Sequence, residues 1–484
     1  MADPEATAPP VRAGDMGAAD TPPLRAAVRL ADRLVLPAVF VALFMSALEQ
    51  TIVGPALPSI GRSLGDAYLV PWVAAAFLLA ATAMGPIFGA FADNAGRRPA
   101  LIVALILFVG GSVASALAPS MMVLIVARAV QGLGAGGLVS LPYIVIGDHV
   151  PMSRRATFSA FISTLYAVAS IGGPPLGGVL TQYAHWSLIF WINLPLGLIV
   201  LAVVLMQSKE PRQESHRRSD FLGAFLLLAA STTTIETLQF AASANGFEFL
   251  PVATATAAAA GWALFGWRMR TAANPLLPVG ILVEPTILLC TLGLLCTHGA
   301  NLGLALYLPF YYQQVLGLDV ASSGIALLGF VGALAIGAYL PAAVLGRTRR
   351  YKAMSVAAAI VAVIGSIIVM AALRTSTSLL IIELATAVMG FGVGGLYPTF
   401  TIATQNAASR VQMGAATGLL AFTRSMGGAV GVTATGMIAS ATGLTGGLAR
   451  MPVWLLGGVS CLLLAICLVA MALLPVRRLD DQPA

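Results

Sequence analysis

The sequence predicts an all-α integral membrane protein with fourteen transmembrane helices, and three observations support this fold class. The chain of 484 residues is 58% hydrophobic and only 9% charged, whereas a soluble protein carries about 25% charged residues. Its mean hydropathy is +0.91. Its apolar residues gather in runs of about 20, the length that crosses a bilayer, and its basic residues gather between these runs.

Each apolar run is interpreted as one membrane-spanning helix, because a helix satisfies all of its backbone hydrogen bonds internally in lipid. The fourteen runs are separated by short segments that hold most of the charged residues. They lie at 35–58, 70–91, 100–118, 122–142, 158–180, 188–206, 221–241, 249–267, 285–307, 321–343, 354–372, 378–398, 414–437 and 452–474.

The basic residues set the predicted orientation, because cytoplasmic loops are enriched in lysine and arginine. With the N-terminus inside, 21 of the 26 lysines and arginines fall in cytoplasmic segments and three fall in outer loops. The other two, Arg128 and Arg424, lie within apolar runs. Both termini are therefore predicted to be cytoplasmic, and the net charge of +7 is attributed to membrane topology and not to nucleic-acid binding.

The N-terminal segment and the cysteines limit what surrounds the helices. Residues 1–33 are rich in Ala, Pro and Asp, which predicts a disordered cytoplasmic tail. The first apolar run is too long for the core of a cleaved signal peptide. All four cysteines lie within apolar runs, without paired spacing across loops, so we expect no disulfide.

An internal repeat divides the chain into two halves. "RAVQGLGAGGL" at 128–138 shares seven of its eleven residues with "TAVMGFGVGGL" at 386–396, and "SIGG" at 170–173 matches "SMGG" at 425–428 with a similar offset. Such a duplication predicts two pseudo-symmetric six-helix bundles with a substrate site between them. The predicted divisions are an N-terminal bundle (34–206), a cytoplasmic loop (207–220), two linker helices (221–267), a C-terminal bundle (284–474) and a cytoplasmic tail (475–484).

Short motifs spread over most of residues 35–474 resemble one known family. They are "LEQTIVGPALP" (48–58), "GAFADNAGRRPA" (89–100), "RAVQGLGAGG" (128–137), "GGPPLGG" (172–178), "FWINLPLG" (190–197) and "SDFLG" (219–223). Together they resemble the major facilitator superfamily, and within it the fourteen-span group of drug:proton antiporters. The resemblance implies a multidrug efflux transporter, with a role in antibiotic resistance.

The loop motif at 89–100 is expected to act as a conformational latch, as the resemblance implies. Gly89 lets two helices approach closely. Asp93, together with Arg97 and Arg98 after Gly96, is expected to form a cytoplasmic charge cluster that holds one conformation and releases in the other. The alternative is a loop whose arginines only set the topology.

The "GGPPLGG" stretch is similar to the motif associated with antiporters. Its matching residues are Gly173, Pro174, Gly177 and Gly178. Small residues allow tight helix packing in lipid, and a proline adds a bend point. Generic small-residue packing is the alternative interpretation.

Glu49 is expected to be the principal proton carrier, tuned by Arg128. A charge near the bilayer centre costs roughly 3 kcal/mol on insertion scales, so each residue needs a partner. At 1.5 Å per residue, Glu49 lies roughly 21 Å above the cytoplasmic edge and Arg128 roughly 9 Å below the outer edge. In a core about 30 Å thick these depths nearly coincide, which predicts an ion pair. The alternative is an ion pair with a purely structural role.

Other polar residues within the runs are candidates for the wall of a substrate cavity. Glu383 lies near the depth of the repeat counterpart of Arg128, and Arg424 lies deep in its run without an obvious partner. His298 is either a titrating group or a packing residue. The predicted cavity residues are Gln50, Gln131, Glu383, Arg424 and His298.

These observations favour a secondary active exporter that works by alternating access on small amphipathic or drug-like compounds. A lipid or metabolite exporter on the same scaffold is the alternative, and a non-transporting sensor or a membrane-embedded enzyme belongs to a different class. The sequence shows no nucleotide-binding GxxxxGK[ST] loop, no HExxH and no nucleophile-plus-base spacing. We therefore expect no catalytic residue, no metal and no cofactor. The expected partners are the substrate, protons and lipid, and the expected functional unit is a monomer in a cell membrane, of bacterial inner-membrane type.

Overall fold

The computed structural model is helical throughout the part of the chain that it describes, apart from turns and one 3-10 turn at Gly54–Ala56. That part comprises residues 22–66, 69–149, 152–207, 220–242, 249–273, 275, 277, 279–348, 351–375, 378–408, 413–442 and 452–475. The predicted loop at 207–220 and the predicted tail at 475–484 lie almost wholly outside the described residues.

The helices follow one another without intervening strands in the described ranges. They are α1 (Pro22–Ile52), α2 (Leu57–Leu64), α3 (Val70–Ala95), α4 (Arg97–Ala116), α5 (Met121–His149), α6 (Met152–Tyr183), α7 (Leu188–Trp191), α8 (Asn193–Met206), α9 (Phe221–Ala242), α10 (Phe249–Thr271), α11 (Val279–Leu282), α12 (Pro285–Gln314), α13 (Val320–Thr348), α14 (Tyr351–Thr375), α15 (Leu379–Ala407), α16 (Met413–Ala441) and α17 (Leu455–Ala472).

The predicted apolar runs and the helices coincide in position. Each run overlaps one helix, except that the first run is divided among α1, the 3-10 turn and α2, and the sixth is divided between α7 and α8. Ten segments of the described chain are long and apolar enough to cross a membrane. Gly-, Ser- and Thr-rich helices such as α6 and α16 are not among these ten. The multi-pass helical fold is therefore established, and the count of fourteen crossings stays a prediction.

The first helix begins earlier than the sequence suggests. Residues 22–33 were expected to belong to a disordered tail, but α1 already begins at Pro22. Ala, Leu and Arg dominate this stretch and are strong helix formers. A proline at the first helical position lacks an N–H that would be unsatisfied there in any case.

Helices of the first half pack closely around α1 and α5. Helix α1 contacts α5, α6 and α8, while α5 lies against α3 and α4. Gly177 of α6 faces α1 so closely that a Cβ there would lie 3.0 Å from the carbonyl carbon of Ile52. The side chain of Thr51 donates a hydrogen bond of 3.0 Å to the carbonyl of Ala169 in α6. The α1–α6 pair is therefore fixed by backbone-level contact.

The second half and the linker helices complete the molecule. Helix α12 packs against α15, α16 and α17, and α13 and α14 pack against α15. Helix α9 touches α3 and α16, and α10 packs on α9. The Asp220 carboxylate accepts hydrogen bonds from the backbone N–H of Gly223 (3.0 Å) and from the Arg268 side chain (2.9 Å). Asp220 therefore caps α9 and ties it to α10.

The two halves meet at one end of the molecule, which we call the sealed end: residues 54–55, 178–182, 313 and 320–324. Gln182 accepts a hydrogen bond of 2.7 Å from the backbone N–H of Ala321. Gln313 donates one of 3.1 Å to the carbonyl of Pro55 in the 3-10 turn. A Cβ on Gly324 would lie 3.3 Å from the Cα of Pro175. The positive-inside rule predicts that this end faces the outside.

Asp319 begins α13 beside the sealed end. Its carboxylate accepts a hydrogen bond of 2.6 Å from the backbone N–H of Ser322. That bond stabilises the charged form and keeps the pKa of Asp319 below its usual value. Asp319 thus satisfies one of the free N–H groups at the start of the helix.

Candidate functional site

Five polar side chains from four helices meet inside the first half and form what we call the N-terminal polar cluster. The cluster contains one acid, one base, two amides and one hydroxyl. Its members are Glu49 from α1, Ser112 from α4, Arg128 and Gln131 from α5, and Asn193 from α8.

The centre of the cluster is an ion pair between Glu49 and Arg128. Arg128 Nη1 lies 2.5 Å from Glu49 Oε1, and the second carboxylate oxygen accepts a 2.7 Å hydrogen bond from the Asn193 amide. Both charged residues are 1% exposed. Two buried charges at such a depth are tolerable only when they neutralise each other, and this pairing meets that condition.

Two further N–H groups of Arg128 are directed at oxygen atoms. Its Nε donates to the carbonyl of Val73 in α3 at 2.9 Å, and its Nη1 also donates to Gln131 Oε1 at 2.8 Å. The guanidinium lies over the ring of Phe77, 4.3 Å from its centroid, and 5.5 Å from the ring centroid of Phe190. The aromatic rings cover the cation and shield the ion pair from solvent.

Ser112 joins the two amides of the cluster. Its hydroxyl accepts from Asn193 Nδ2 at 2.9 Å and from Gln131 Nε2 at 3.2 Å, and it donates to the carbonyl of Phe190 at 2.8 Å. This uses the single proton and both lone pairs of a hydroxyl group. These bonds fix the amide orientations of Gln131 and Asn193. The Gln131 oxygen therefore faces Arg128, and the Asn193 amide N–H faces Glu49.

Counting residues into each apolar run gives a membrane depth, and that depth predicts the pairing of Glu49 with Arg128. It does not predict that Asn193 and Ser112 join them. Asn193 stands in the quoted "FWINLPLG" stretch, where its amide within an apolar run is the available signal. Gln50 points elsewhere, because its side chain donates to the carbonyl of Ser46 at 3.4 Å. Of the predicted cavity residues, the structure therefore places only Gln131 in the N-terminal polar cluster.

A second polar group lies where the two halves face each other, and we call it the arginine–tyrosine cluster: Tyr166, His298, Asn301, Tyr397 and Arg424. The Arg424 guanidinium lies 5.4 Å from the ring centroid of Tyr166 and 5.5 Å from that of Tyr397. The Tyr397 hydroxyl lies 2.8 Å from His298 Nδ1 and accepts from Asn301 Nδ2 at 3.3 Å. His298 is 4% exposed.

Glu383 lies apart from both clusters, in α15. Its carboxylate accepts a hydrogen bond from the Tyr312 hydroxyl of α12. The predicted repeat counterpart of Arg128, Thr386, donates a hydrogen bond of 3.0 Å to the carbonyl of Glu383 in its own helix. The second half thus has a half-buried carboxylate held by a phenol, in place of the carboxylate–arginine pair of the first half.

The latch motif is described only in part. The side chain of Asp93 lies outside the described residues, so its contact with the arginines stays a prediction. Arg97 donates to the carbonyl of Ala92 at 2.9 Å, and Arg98 donates to the carbonyls of Val204 (3.0 Å) and Leu205 at the end of α8. Gly96 has φ of 97°, which only glycine adopts readily, and this allows the sharp turn between α3 and α4. Gly89 is half-buried in α3.

The antiporter-like motif occupies the face of α6 that meets both α1 and α13. A Cβ on Gly173 would lie 2.9 Å from the Cβ of Thr51, and one on Gly178 would lie 3.1 Å from the Cα of Ala321. Gly177 is equally close to Ile52, as described above. Pro174 is buried, and its carbonyl faces Gly324. This stretch of α6 therefore contacts α1 through Gly173 and Gly177. It contacts α13, in the second half, through Gly178 and Pro174.

Comparisons with known proteins agree with the fold. The profile of the Major Facilitator Superfamily matches residues 39–432. The chain is 29% identical to "Multidrug transporter protein MdtP" of Bacillus subtilis over 413 residues, which are 84% of this chain and 75% of that protein. It is 27% identical to "Multidrug resistance protein fnx1" of Schizosaccharomyces pombe over 411 residues, which are 82% and 77% of the two chains. The solved structure described as "Crystal structure of D-xylose-proton symporter" superposes with a TM-score of 0.62 at 13% identity, over 94% of this chain and 100% of that one.

Proposed function

Because the chain belongs to the Major Facilitator Superfamily, and is therefore a multi-pass membrane transporter and not an enzyme, we propose that it is a proton-coupled antiporter. It exports small amphipathic or drug-like compounds by alternating access. In this proposal fourteen helices cross a cell membrane, six in each of two bundles and two between them, with both termini in the cytoplasm. This is the architecture of the fourteen-span drug:proton group that the sequence motifs resemble.

The observation that carries the proposal is the fully buried Glu49–Arg128 pair. Ionisable residues inside a membrane are expensive and mark proton or substrate pathways. Here the carboxylate has one cation and one amide donor, and both contacts favour its charged form while the pair is closed. Proton uptake removes the charge on Glu49 and with it the Coulomb attraction to Arg128. One proton thus changes the strongest interaction that joins α1 to α5.

The proton pathway follows from the direction of transport. In the outward-facing state Glu49 takes up a proton from outside and Arg128 keeps its bonds to Val73 and Gln131. In the inward-facing state Glu49 releases the proton to the cytoplasm and closes on Arg128 again. A ligand-driven conformational change needs an affinity difference between the two states, and the ion pair supplies that difference for the proton.

The two relatives named above support the choice of cargo. Their printed names describe multidrug transport and multidrug resistance, and each aligns with more than four-fifths of this chain. The aromatic side chains where the two halves face each other suit amphipathic compounds. A binding site of aromatic and apolar groups with a few polar ones is usual for small molecules.

Glu49→Gln is the direct test of the proton role. The substitution keeps the size and the hydrogen-bonding capacity of the side chain and removes the titratable group. In proteoliposomes with an imposed pH gradient, we assay two fluorescent probes, the cation ethidium and the anion dansylglycine. For whichever probe the wild-type protein accumulates uphill, we expect Glu49→Gln to abolish that accumulation. Glu49→Asp, which restores the residue usual in the family, should retain partial activity.

Glu236→Gln is the matched control, because Glu236 lies in α9 outside both clusters. It should transport at close to the wild-type rate. Uphill accumulation by Glu49→Gln at the wild-type rate would mean that Glu49 is structural and that the proton site must be sought at Glu383, His298 or Glu236. A loss of uphill accumulation in Glu236→Gln would point to Glu236.

A further inference from the structure

Arg424 has an unusual environment for a cation within a membrane-spanning helix. It lies near the middle of α16 and is half-buried. The ring faces of Tyr166 and Tyr397 lie on it, each with its centroid about 5.5 Å from the guanidinium carbon. The two rings come from opposite halves of the chain, since Tyr166 is in α6 and Tyr397 in α15.

No carboxylate of the described residues forms an ion pair with Arg424. The ion pairs within that part of the chain join Arg128 to Glu49 and Arg268 to Asp220. Arginines inside a membrane normally pair with an acid or line a water-filled cavity. Ring faces attract a cation but supply no hydrogen-bond acceptor with negative charge. The five N–H donors of Arg424 are therefore suited to an anion that the described part of the chain does not provide.

The neighbours of Arg424 form a prepared wall. His298 and Asn301 both bond the Tyr397 hydroxyl, which fixes the plane of that ring. The His298 ring also meets the Tyr397 ring edge-on, with centroids 5.9 Å apart. The wall thus offers a guanidinium and an amide beside two aromatic faces. Such a surface matches a compound with one anionic group on a flat or apolar body.

This wall lies where a transported molecule is expected to bind. Its residues come from α6 in the first half and from α12, α15 and α16 in the second. Substrate sites of transporters built from repeats lie near the bilayer midplane, where the halves face each other. The N-terminal polar cluster is separate from it, since all five of its side chains belong to the first half.

We propose that Arg424 binds the anionic group of the exported compound while Tyr166 and Tyr397 hold its aromatic or apolar body. The cargo class is thereby narrowed to amphipathic anions: compounds with one carboxylate, sulfonate or phosphate group on a hydrophobic frame. This inference rests on the proposed function, because it assigns the cargo of that exporter.

The test compares two probes that differ only in charge, dansylglycine and its neutral amide. Binding is measured by dansyl fluorescence on the purified full-length protein in nanodiscs, at equal pH on both sides. We expect wild-type protein to bind dansylglycine at least about tenfold more tightly than the amide, the size of effect that a charge-assisted hydrogen bond produces. Arg424→Gln should remove this preference and leave binding of the amide within twofold of the wild-type value.

Two further variants and one control keep the test decisive if Arg424→Gln folds poorly. Arg424→Lys keeps the charge without the planar fork and should retain part of the preference. Tyr166→Leu removes one ring face and should weaken both probes. Arg374→Gln is the matched control, because this arginine is exposed at the end of α14, and it should behave as wild type.

A lipid arm distinguishes the two sources of such an anion. Lysophosphatidylglycerol replaces the dansyl probes as a competitor, and Arg424-dependent displacement identifies a lipid-like cargo, whereas Arg424-dependent binding of dansylglycine alone identifies a compact one. Either result supports the site. Equal affinity of wild-type protein for dansylglycine and its amide, with no Arg424-dependent competition by the lipid, overturns it. So does an equal loss of both probes in Arg424→Gln and Arg424→Lys, which would make Arg424 a contact between the halves.

The binding assay is independent of proton coupling. It uses no pH gradient, so it reports on Arg424 whatever the result with Glu49→Gln. Arg424-dependent binding without gradient-driven accumulation would refute the antiporter and retain the anion site. Gradient-driven accumulation of ethidium without Arg424-dependent binding would retain the antiporter and refute the anion site.

Discussion

Asn193 and Ser112 support the Glu49–Arg128 ion pair through hydrogen bonds. Asn193 bonds the carboxylate oxygen that Arg128 does not hold, and Ser112 holds the Asn193 amide. A buried charge with satisfied hydrogen bonds is stable only as long as each partner remains. Loss of any single member therefore leaves a polar atom unpaired in an apolar interior.

A double-mutant cycle on the pair measures this dependence. Arg128→Met strands a buried carboxylate, and we expect it to lower the free energy of unfolding by about 3–5 kcal/mol, as for other broken buried pairs. Glu49→Gln combined with Arg128→Met removes both charges and should recover a substantial part of that loss. The measurement is denaturant-induced unfolding of the purified protein.

Additive effects of the two substitutions would contradict the coupling expected of a buried ion pair. Asn193→Leu serves as a check within the same cluster. It should lower the free energy of unfolding by about 1–3 kcal/mol, the penalty of an unsatisfied buried acceptor, and less in the Glu49→Gln background.

At the scale of elements, the 3-10 turn at Gly54–Ala56 and the glycines of α6 decide how the halves approach each other. Pro55 follows Gly54 at the point where α1 ends, and a proline within a helix removes a backbone donor. The released backbone bends so that the Pro55 carbonyl reaches Gln313. Beside it, Gly178 and Gly324 let α6 and α13 touch through backbone atoms.

Gly324→Val tests the role of that contact. The new side chain would meet the backbone of Pro174 and Pro175, so we expect the sealed end to be held open and transport to fall at least about tenfold. Gly332→Val, in the same helix, is the control, because a Cβ at Gly332 meets nothing within 4 Å. Equal transport by the two variants would show that α6 and α13 need not close on each other.

The sequence predicts the positions of the helices better than it predicts the contacts between them. Apolar runs locate the helices, because length and hydropathy are local properties. Depth counting pairs Glu49 with Arg128, because helix rise is constant. Asn193, Tyr166 and Tyr397 were not predicted as site residues, since their neighbours come from helices distant in sequence. The early start of α1 at Pro22 was missed, because Ala- and Pro-rich composition describes both a helix start and a disordered tail.

At the scale of the whole molecule, the halves meet at the sealed end, along α3 and α16, and where Tyr166 lies on Arg424. At the sealed end, Gln182 with Ala321 and Gln313 with Pro55 form hydrogen bonds between the halves, and α9 contacts both halves through α3 and α16. A joint made of side-chain hydrogen bonds and glycine packing opens without breaking an ion pair. Such an interface is suited to repeated opening and closing.

Cysteines at positions 182 and 321 test this in a background without the native cysteines. Cross-linking should stop transport, and reduction should restore it. In intact cells a membrane-impermeant thiol reagent should reach both cysteines from outside during turnover, as the predicted orientation requires. Labelling only from the cytoplasmic side would contradict that orientation, and full transport by the cross-linked protein would contradict the need for this end to open. Single-cysteine proteins provide the control.

The bend after α1 also has a thermodynamic consequence. The 3-10 turn begins five residues after Glu49 on the same stretch of backbone, yet its Pro55 carbonyl is bound by Gln313 of the other half. In the proposed mechanism the state of Glu49 and the opening of the sealed end are linked equilibria, and linkage is reciprocal. If opening changes the proton affinity of Glu49 by some factor, protonation of Glu49 changes the opening equilibrium constant by the same factor. A transporter built on this linkage is reversible, so a sufficiently steep inward gradient of cargo would drive protons out of the cell.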